Sequence, residues 1–315
     1  MGGFLNALGQ KLAERWLTLL VLPGAFFLAT ATVARVLGHA DALDIHRLTD
    51  HITSWAKAPA VNSVGGQVVL LLALLAASGA VGLGAQGLGT LVRRAALAVG
   101  WRTWPRPLRQ WAQARVTARR TGWDRAFRHY RMQLDADART LALHSRRADP
   151  AARHAAYQAL RCIATEPPDR PTWSGDRIHA VSVRLERDHH IDLPTVWPYL
   201  WLVLPDGTRS EITAAEQALT RATTLAGWSL LYAPLTVWWW PAAPLSAALF
   251  LTARHRFRGS IDTYAQLMEA SARLHLTDLT TQLGIDHTGP VDAVLGEALT
   301  QHVRPRTPRY TAGES

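Results

Sequence analysis

Two long stretches without a charged residue constrain the fold of this chain more than any other feature. Leu225–Ala253 has no charge over 29 residues, and Ala58–Val92 has none either. One helix of 29 residues would be about 44 Å long, which exceeds a hydrocarbon core of about 30 Å. Two prolines interrupt the first stretch after Trp238-Trp239-Trp240, and tryptophan prefers the membrane interface. We therefore predict a helical hairpin with its tip at Trp240–Pro244.

A second hairpin is predicted nearer the N-terminus. Trp16–Leu37 is an apolar run with only Arg35 near its end, and the uncharged Ala58–Val92 provides the returning helix. A cleaved secretory signal is the alternative for the first run, because Ala29-Thr30-Ala31 resembles a cleavage site. The preceding segment is weakly basic and contains Glu14, which favours an uncleaved span.

The chain is therefore predicted to be an all-α integral membrane protein with two transmembrane helical hairpins and a helical cytosolic domain. The predicted order is a cytosolic N-terminus (1–15), first span (16–37), outer loop (38–63), second span (64–92), cytosolic helical domain (93–222), third span (223–240), short or tilted fourth span (241–253), cytosolic C-terminal helices (254–303) and disordered tail (304–315). Within the outer loop, Leu43, Ile45, Leu48, Ile52 and Trp55 follow helical spacing. This short helix either lies on the outer leaflet or packs over the bundle.

The distribution of positive charge predicts the orientation. The net charge is +10, and residues 93–222 hold 22 arginines against 13 acidic residues, whereas the outer loop holds two basic residues. Cytosolic loops of membrane proteins carry the excess of Lys and Arg. This distribution argues for a membrane-surface role and against nucleic acid as the partner. The basic residues that set the topology are Arg93, Arg94, Arg221, Arg254, Arg256 and Arg258.

Alternating tryptophan and arginine follow the second span. Trp101, Trp104 and Trp111 are interleaved with arginines, a composition suited to the lipid headgroup layer, and we assign Trp238, Trp239 and Trp240 to the same layer. We expect anionic lipid at the inner leaflet as a partner. A helix with Trp123, Phe127, Tyr130 and Leu134 on one face comes next. That face either lies on lipid or packs in a domain core, and we prefer the core.

Glycines are concentrated in the second span. They are predicted to let helix backbones pack closely, and Gly82-Leu83-Gly84-Ala85-Gln86-Gly87 also matches a dinucleotide-binding fingerprint. The match lies in an uncharged span with no acidic residue about 20 positions later, so no nucleotide or other cofactor is predicted. The predicted packing residues are Gly79, Gly82, Gly84, Gly87 and Gly89.

No motif of a known catalytic centre is present, so no catalytic residue and no metal site is predicted and the chain is not expected to be an enzyme. His189, His190 and Asp192 are the best metal candidates, but adjacent histidines on a helix rarely face one ion. The single cysteine, Cys162, excludes an intrachain disulfide and is expected to fill a buried position on a helix.

Thr213-Ala214-Ala215-Glu216 matches a capping box, and no strong break follows before Pro234. We predict one helical element over Thr213–Trp240 that joins the cytosolic domain to the third span.

Parts of the chain resemble a group of predicted multi-pass membrane proteins of bacteria, especially actinobacteria. The resemblance covers roughly residues 160–285 and is carried by Asp176-Arg177-Ile178, by Ile191-Asp192-Leu193 through Pro205, and by Ala226-Gly227-Trp228 to Trp240-Pro241. It implies two apolar hairpins around a soluble middle segment, and it assigns no activity to any residue.

These features together predict a non-enzymatic multi-pass protein of the bacterial cell membrane. Its basic cytosolic domain would sense a protein partner or signal, or form a homo-oligomer, and act through the spans as an anchor, channel or membrane-perturbing effector. A membrane-bound enzyme acting on lipid is one alternative, which converging polar side chains in a closed cavity would favour. A membrane-tethered nucleic-acid binder is the other, which a contiguous basic face turned away from the bilayer would favour.

Overall fold

The computed structural model describes residues 21–56, 63–145, 149–287 and 289–305. Within these ranges the regular structure is entirely helical, so the predicted all-α class is confirmed. The α-helices are α1 (Leu22–Leu37), α2 (Ile45–Ala56), α3 (Val64–Leu97), α4 (Arg106–His144), α5 (Ala151–Ile163), α6 (Trp173–His189), α7 (Leu193–Val203), α8 (Asp206–Tyr232), α9 (Ala242–Gln282) and α10 (Ala293–Val303). The predicted N-terminus, the start of the first span and most of the predicted tail lie outside the described residues.

The chain divides into two compact units. One contains residues Met1–Arg94 and Ala218–Phe257, and we call it the apolar unit. The other contains Ala95–Gln217 and Arg258–Ser315, and we call it the polar unit. The division falls inside α3, α8 and α9, so each of these helices contributes residues to both units.

The predicted helical element Thr213–Trp240 has different limits in the structure. Helix α8 begins at Asp206, where the Arg209 amide donates to the Pro205 carbonyl, and the Thr213 hydroxyl bonds back to the Arg209 carbonyl inside the helix. The capping box was therefore the wrong start signal, because a helix can begin directly after a proline. The helix ends at Tyr232, and a 3₁₀ turn over Ala233–Val237 follows at Pro234.

Helix α9 joins two segments that the sequence separated. The predicted fourth span (241–253) and the first C-terminal helix after it form one helix, Ala242–Gln282. At Arg254 the side chains change from apolar to charged. This change affects which solvent the helix surface prefers, but the backbone hydrogen bonds of the helix continue through it. The predicted stop is confirmed, since Gly284 has a φ of +69° and its amide bonds to the Thr281 carbonyl.

The core of the polar unit is formed by α6, α7, the second half of α9 and α10. Its largest buried side chains include Leu185 of α6, Leu200 of α7, Leu276 of α9 and Leu299 of α10. The apolar segment around Trp197 is thus a helix with one buried face.

The aromatic face of α4 packs inside the polar unit. Trp123 stacks on Phe127 with 4.9 Å between ring centroids, its indole donates to the Ala164 carbonyl, and Tyr130 lies 5.5 Å from Tyr157 of α5. This face is therefore partly buried against α5, which agrees in part with the preferred interpretation of a face packed in a domain core. The expectation for Cys162 is wrong, because this residue is exposed on α5.

Candidate functional site

The surface of α3 is the most unusual feature of the apolar unit. Leu70, Leu71, Leu72 and Leu74 are all between 45% and 60% exposed. A helix in the core of a soluble protein would bury these side chains, since each buried leucine stabilises a fold in water by about 1.5–3 kcal/mol. In the part of the chain that the structure describes, α3 is the one helix long and apolar enough to cross a membrane, and α1 is a shorter apolar helix.

Three glycines of the apolar unit allow helix backbones to touch. A Cβ atom on Gly24 of α1 would lie within 3.0 Å of the Ser78 backbone of α3, and one on Gly227 of α8 would lie within 3.0 Å of the Ala85 backbone. A Cβ on Gly89 would lie 2.9 Å from the Thr223 carbonyl oxygen. Such close approaches are typical of helix packing in membranes.

The predicted packing glycines of α3 fall into two groups. Gly79, Gly82 and Gly89 are buried, whereas Gly84 and Gly87 are exposed and have no atom within 4 Å of a Cβ. The run Gly82–Gly87 lies within uninterrupted helix, so it does not form the strand-to-helix turn that a dinucleotide fingerprint requires. Gly24 and Gly227 were not predicted as packing residues, although each lies in an apolar segment as the glycines of α3 do.

Helices α8 and α9 are joined by hydrogen bonds between serines. The Ser229 hydroxyl donates to the Ser246 carbonyl at 3.2 Å, and the Ser246 hydroxyl donates to the Ser229 carbonyl at 3.0 Å. Both hydroxyls are therefore satisfied within the unit, which an apolar environment requires. Next to them, the rings of Phe27 and Tyr232 meet edge to face at 5.2 Å.

The predicted basic residues of the apolar unit lie at one end of it. Helices α3 and α8 are antiparallel, because Gly89 meets Thr223 while Ala85 meets Gly227. Arg93 is therefore level with the start of α8 in this unit, near Arg221. Arg221 precedes Ser229 by eight residues, and Arg254 follows Ser246 by eight residues. Because α8 and α9 run in opposite directions at this serine pair, both arginines lie about 12 Å from it toward the same end of the unit. Arg94 follows Arg93 in α3, and Arg256 lies two residues after Arg254 in α9. Arg258 belongs to the polar unit, where its Cζ atom lies 4.4 Å from the Trp173 ring centroid.

The tryptophans assigned to the membrane interface have different environments. Trp238 and Trp240 are about half exposed in the segment between α8 and α9, and the Trp239 indole donates to the Ala42 carbonyl at 2.9 Å. In the polar unit Trp111 is exposed, with Arg115 over its ring, and Trp104 is partly buried. Trp101 is buried, and its indole donates to the Asp169 carbonyl. Trp101 is thus fixed within the polar unit by a residue 68 positions later in the sequence.

A buried carboxylate organises the loop between α5 and α6. Asp176 is 5% exposed; its Oδ1 accepts from the backbone amides of Asp169 and Arg170, and its Oδ2 accepts from Arg119 at 2.7 Å. Arg119 also donates to the Ile163 carbonyl. Burial, together with the charge of Arg170, lowers the pKa of the nearby His179 imidazole. This arrangement uses the carboxylate as a structural anchor for the loop.

Further ion pairs join α6 to α9 in the polar unit. Arg184 makes two hydrogen bonds to Glu269, and Arg273 donates to Asp188 at 2.7 Å. The hydrogen bond from Arg273 lowers the pKa of the Asp188 carboxyl. Burial opposes ionisation of Glu269, but the contact with Arg184 lowers the pKa of Glu269 overall. Many arginines of this unit are therefore engaged with its own carboxylates.

The histidines considered for metal binding have other contacts. His189 Nδ1 lies 2.9 Å from the Val291 carbonyl oxygen, and His190, the residue that follows α6, has a φ of +53°. His190 and Asp192 line an open polar cavity of about 260 Å³ together with Glu297. Across the described ranges, no three His, Cys, Asp or Glu side chains are grouped so that they could hold a metal ion.

Comparison with protein-family models, curated proteins and solved structures finds no match to this chain. The resemblance to predicted bacterial membrane proteins therefore stays a prediction.

Proposed function

We propose that the chain is a non-enzymatic multi-pass membrane protein that anchors its basic polar unit at the cytosolic face of the bacterial cell membrane. The observation that carries the proposal is the exposed apolar surface of α3. In the proposed topology α1 and α3 form one transmembrane hairpin, and α8 and the first half of α9 form the other. Of the three roles that the sequence left open, the packing favours an anchor, because glycine contacts and the serine pair close the helices on one another.

Orientation follows from the arginines at one end of the apolar unit. Arg93, Arg221 and Arg254 would lie at the cytosolic headgroup layer, where they face anionic lipid. The opposite end carries Trp238 and Trp240, whose half-exposed rings suit the outer interface. Helix α2 exposes Ile45 and Ile52, which supports its placement on the outer leaflet.

A protein partner or a second copy is proposed for the polar unit. Helix α4 exposes Met132, Leu141 and Leu143, the last of them by 78%. At about 100° per residue, Met132 and Leu143 lie on one face of the helix and Leu141 on the opposite face, so Met132 and Leu143 mark the candidate contact face. We propose that this part of α4 receives the partner while the apolar unit holds the chain in the membrane.

Charge placed in the middle of α3 is expected to prevent membrane insertion. Leu74 and Leu83 are exposed near the centre of the apolar stretch, and an arginine at a span centre costs about 2.5–3.5 kcal/mol. The double variant Leu74→Arg, Leu83→Arg should be extracted from bacterial membranes by alkaline carbonate in larger part than the unaltered chain, which should stay in the membrane pellet, although the hairpin of α8 and α9 can still insert.

The matched control places the same two charges at the ends of α3. Val64 and Leu91 are also exposed, by 78% and 58%, and arginine side chains there can reach the headgroups. The variant Val64→Arg, Leu91→Arg should remain in the pellet. Equal extraction of the two double variants, or complete extraction of the unaltered chain, would contradict the anchor.

A further inference from the structure

The apolar unit contains a large cavity between α1, α8 and α9. It has a volume of about 760 Å³ and is open at its side. This volume lies within the range of about 300–1,000 Å³ found for ligand sites. Most of its wall is apolar, and the residues that define it best are Phe26, Arg221, Trp228, Tyr232, Leu245 and Leu249.

The charged group of the cavity wall lies toward one end of α8 with three further polar residues, whereas Thr30 and the Tyr232 hydroxyl form a hydrogen-bonded pair at the other end. Thr220, Arg221 and Thr224 lie there, and the contacts between α3 and α8 place Gln86 close to the same level. The Arg221 side chain is exposed, and it makes no ion pair and no hydrogen bond with any residue that the structure describes. This end of the cavity therefore presents an uncompensated positive charge.

The apolar wall extends from this charge by the depth of one lipid leaflet. Trp228 and Tyr232 continue the face of α8, and Leu249 and Leu245 of α9 lie opposite them. Tyr232 lies eleven positions after Arg221, which corresponds to about 16 Å of helix. Half of a hydrocarbon core is about 15 Å deep.

We infer that this cavity binds one anionic phospholipid of the inner leaflet. Its phosphate would contact the Arg221 guanidinium, and one acyl chain would lie along Trp228 and Leu249 toward Tyr232. Charge complementarity favours this occupant, because the net negative charge of an anionic lipid balances the Arg221 charge, whereas the choline of a zwitterionic lipid already balances its own phosphate. An arginine binds phosphate through charge-assisted hydrogen bonds. The inference rests on the proposed membrane location.

The test measures lipid binding by the purified, delipidated full chain in detergent, using native mass spectrometry. The probes are a phosphatidylglycerol and a phosphatidylcholine with the same acyl chains. We expect the chain to bind one phosphatidylglycerol molecule about tenfold more tightly than phosphatidylcholine. A tenfold difference in affinity corresponds to the contribution of one charge-assisted hydrogen bond. Arg221→Gln should remove this preference.

Two further variants separate the cavity from general surface charge. Arg254 lies at the same end of the unit but does not line the cavity, so Arg254→Gln should keep the preference. Leu249→Trp should fill the cavity and reduce binding of both lipids. Equal affinities for the two lipids, or the same loss in Arg254→Gln as in Arg221→Gln, would overturn the inference.

Membrane insertion is measured separately. Arg221→Gln and Leu249→Trp should both stay in the carbonate-washed membrane pellet, because neither changes the outer surface of α3. Retention in the pellet without lipid preference would reject the lipid site alone, whereas extraction of the unaltered chain would reject the anchor itself.

Discussion

Replacing Gly227 by alanine is expected to destabilise the apolar unit by about 3 kcal/mol. The new Cβ would lie within 3.0 Å of the Ala85 main chain, and a backbone cannot move aside as a flexible side chain can. The two helices would have to separate, which would weaken the packing around Trp228. Thermal unfolding of the detergent-solubilised chain, followed by circular dichroism, should show a clear loss of stability and a lower folded yield.

Gly84→Ala is the matched control, because it makes the same change in a helix of the same unit. A Cβ at Gly84 has no atom within 4 Å. Alanine is favoured over glycine in a helix by about 1 kcal/mol, so this variant should be as stable as the unaltered chain or slightly more stable. Equal melting temperatures for Gly227→Ala and Gly84→Ala would show that the close contact between α3 and α8 is absent in solution.

Removing the Asp176 carboxylate is expected to cost the polar unit about 3–5 kcal/mol. In Asp176→Ala the Arg119 guanidinium, which is 17% exposed, would lose its charge partner, and the backbone amides of Asp169 and Arg170 would lose their acceptor. Denaturant unfolding of the full chain, followed by circular dichroism, should show the loss.

The control for this prediction is an exposed pair in the same unit. Asp206 pairs with Arg209, and the Asp206 side chain is 96% exposed. Exposed ion pairs contribute little, so Asp206→Ala should change stability by no more than about 0.5 kcal/mol. Similar losses in the two variants would mean that the buried carboxylate does not anchor the loop.

The sequence predicted the helices well because their signals are local. Uncharged runs, helical periodicity and the stop at Gly284 depend on neighbours within a few residues, and the structure has helices at those places. The start of α8 was predicted wrongly, at Thr213 in place of Asp206. A capping-box motif was interpreted as the helix start, although the helix already begins at Asp206 and continues through the motif.

The environments of single residues could be predicted less well because distant contacts determine them. Trp101 is buried through a contact with Asp169, and Gly227 is essential to packing because Ala85 lies opposite it. The Arg221 cavity combines residues from α1, α3, α8 and α9. Periodicity along one helix cannot show which face of another helix it meets.

Labelling of single cysteines in intact bacteria tests the membrane topology most directly. Cys162 is exposed, so the background is Cys162→Ser. Asp50 on α2 and Asp149 before α5 are both exposed and lie on opposite sides in the proposed topology. A membrane-impermeant maleimide should label Asp50→Cys in intact cells and Asp149→Cys only after the membrane is permeabilised. Equal labelling of both positions in intact cells, or of neither before permeabilisation, would contradict the account.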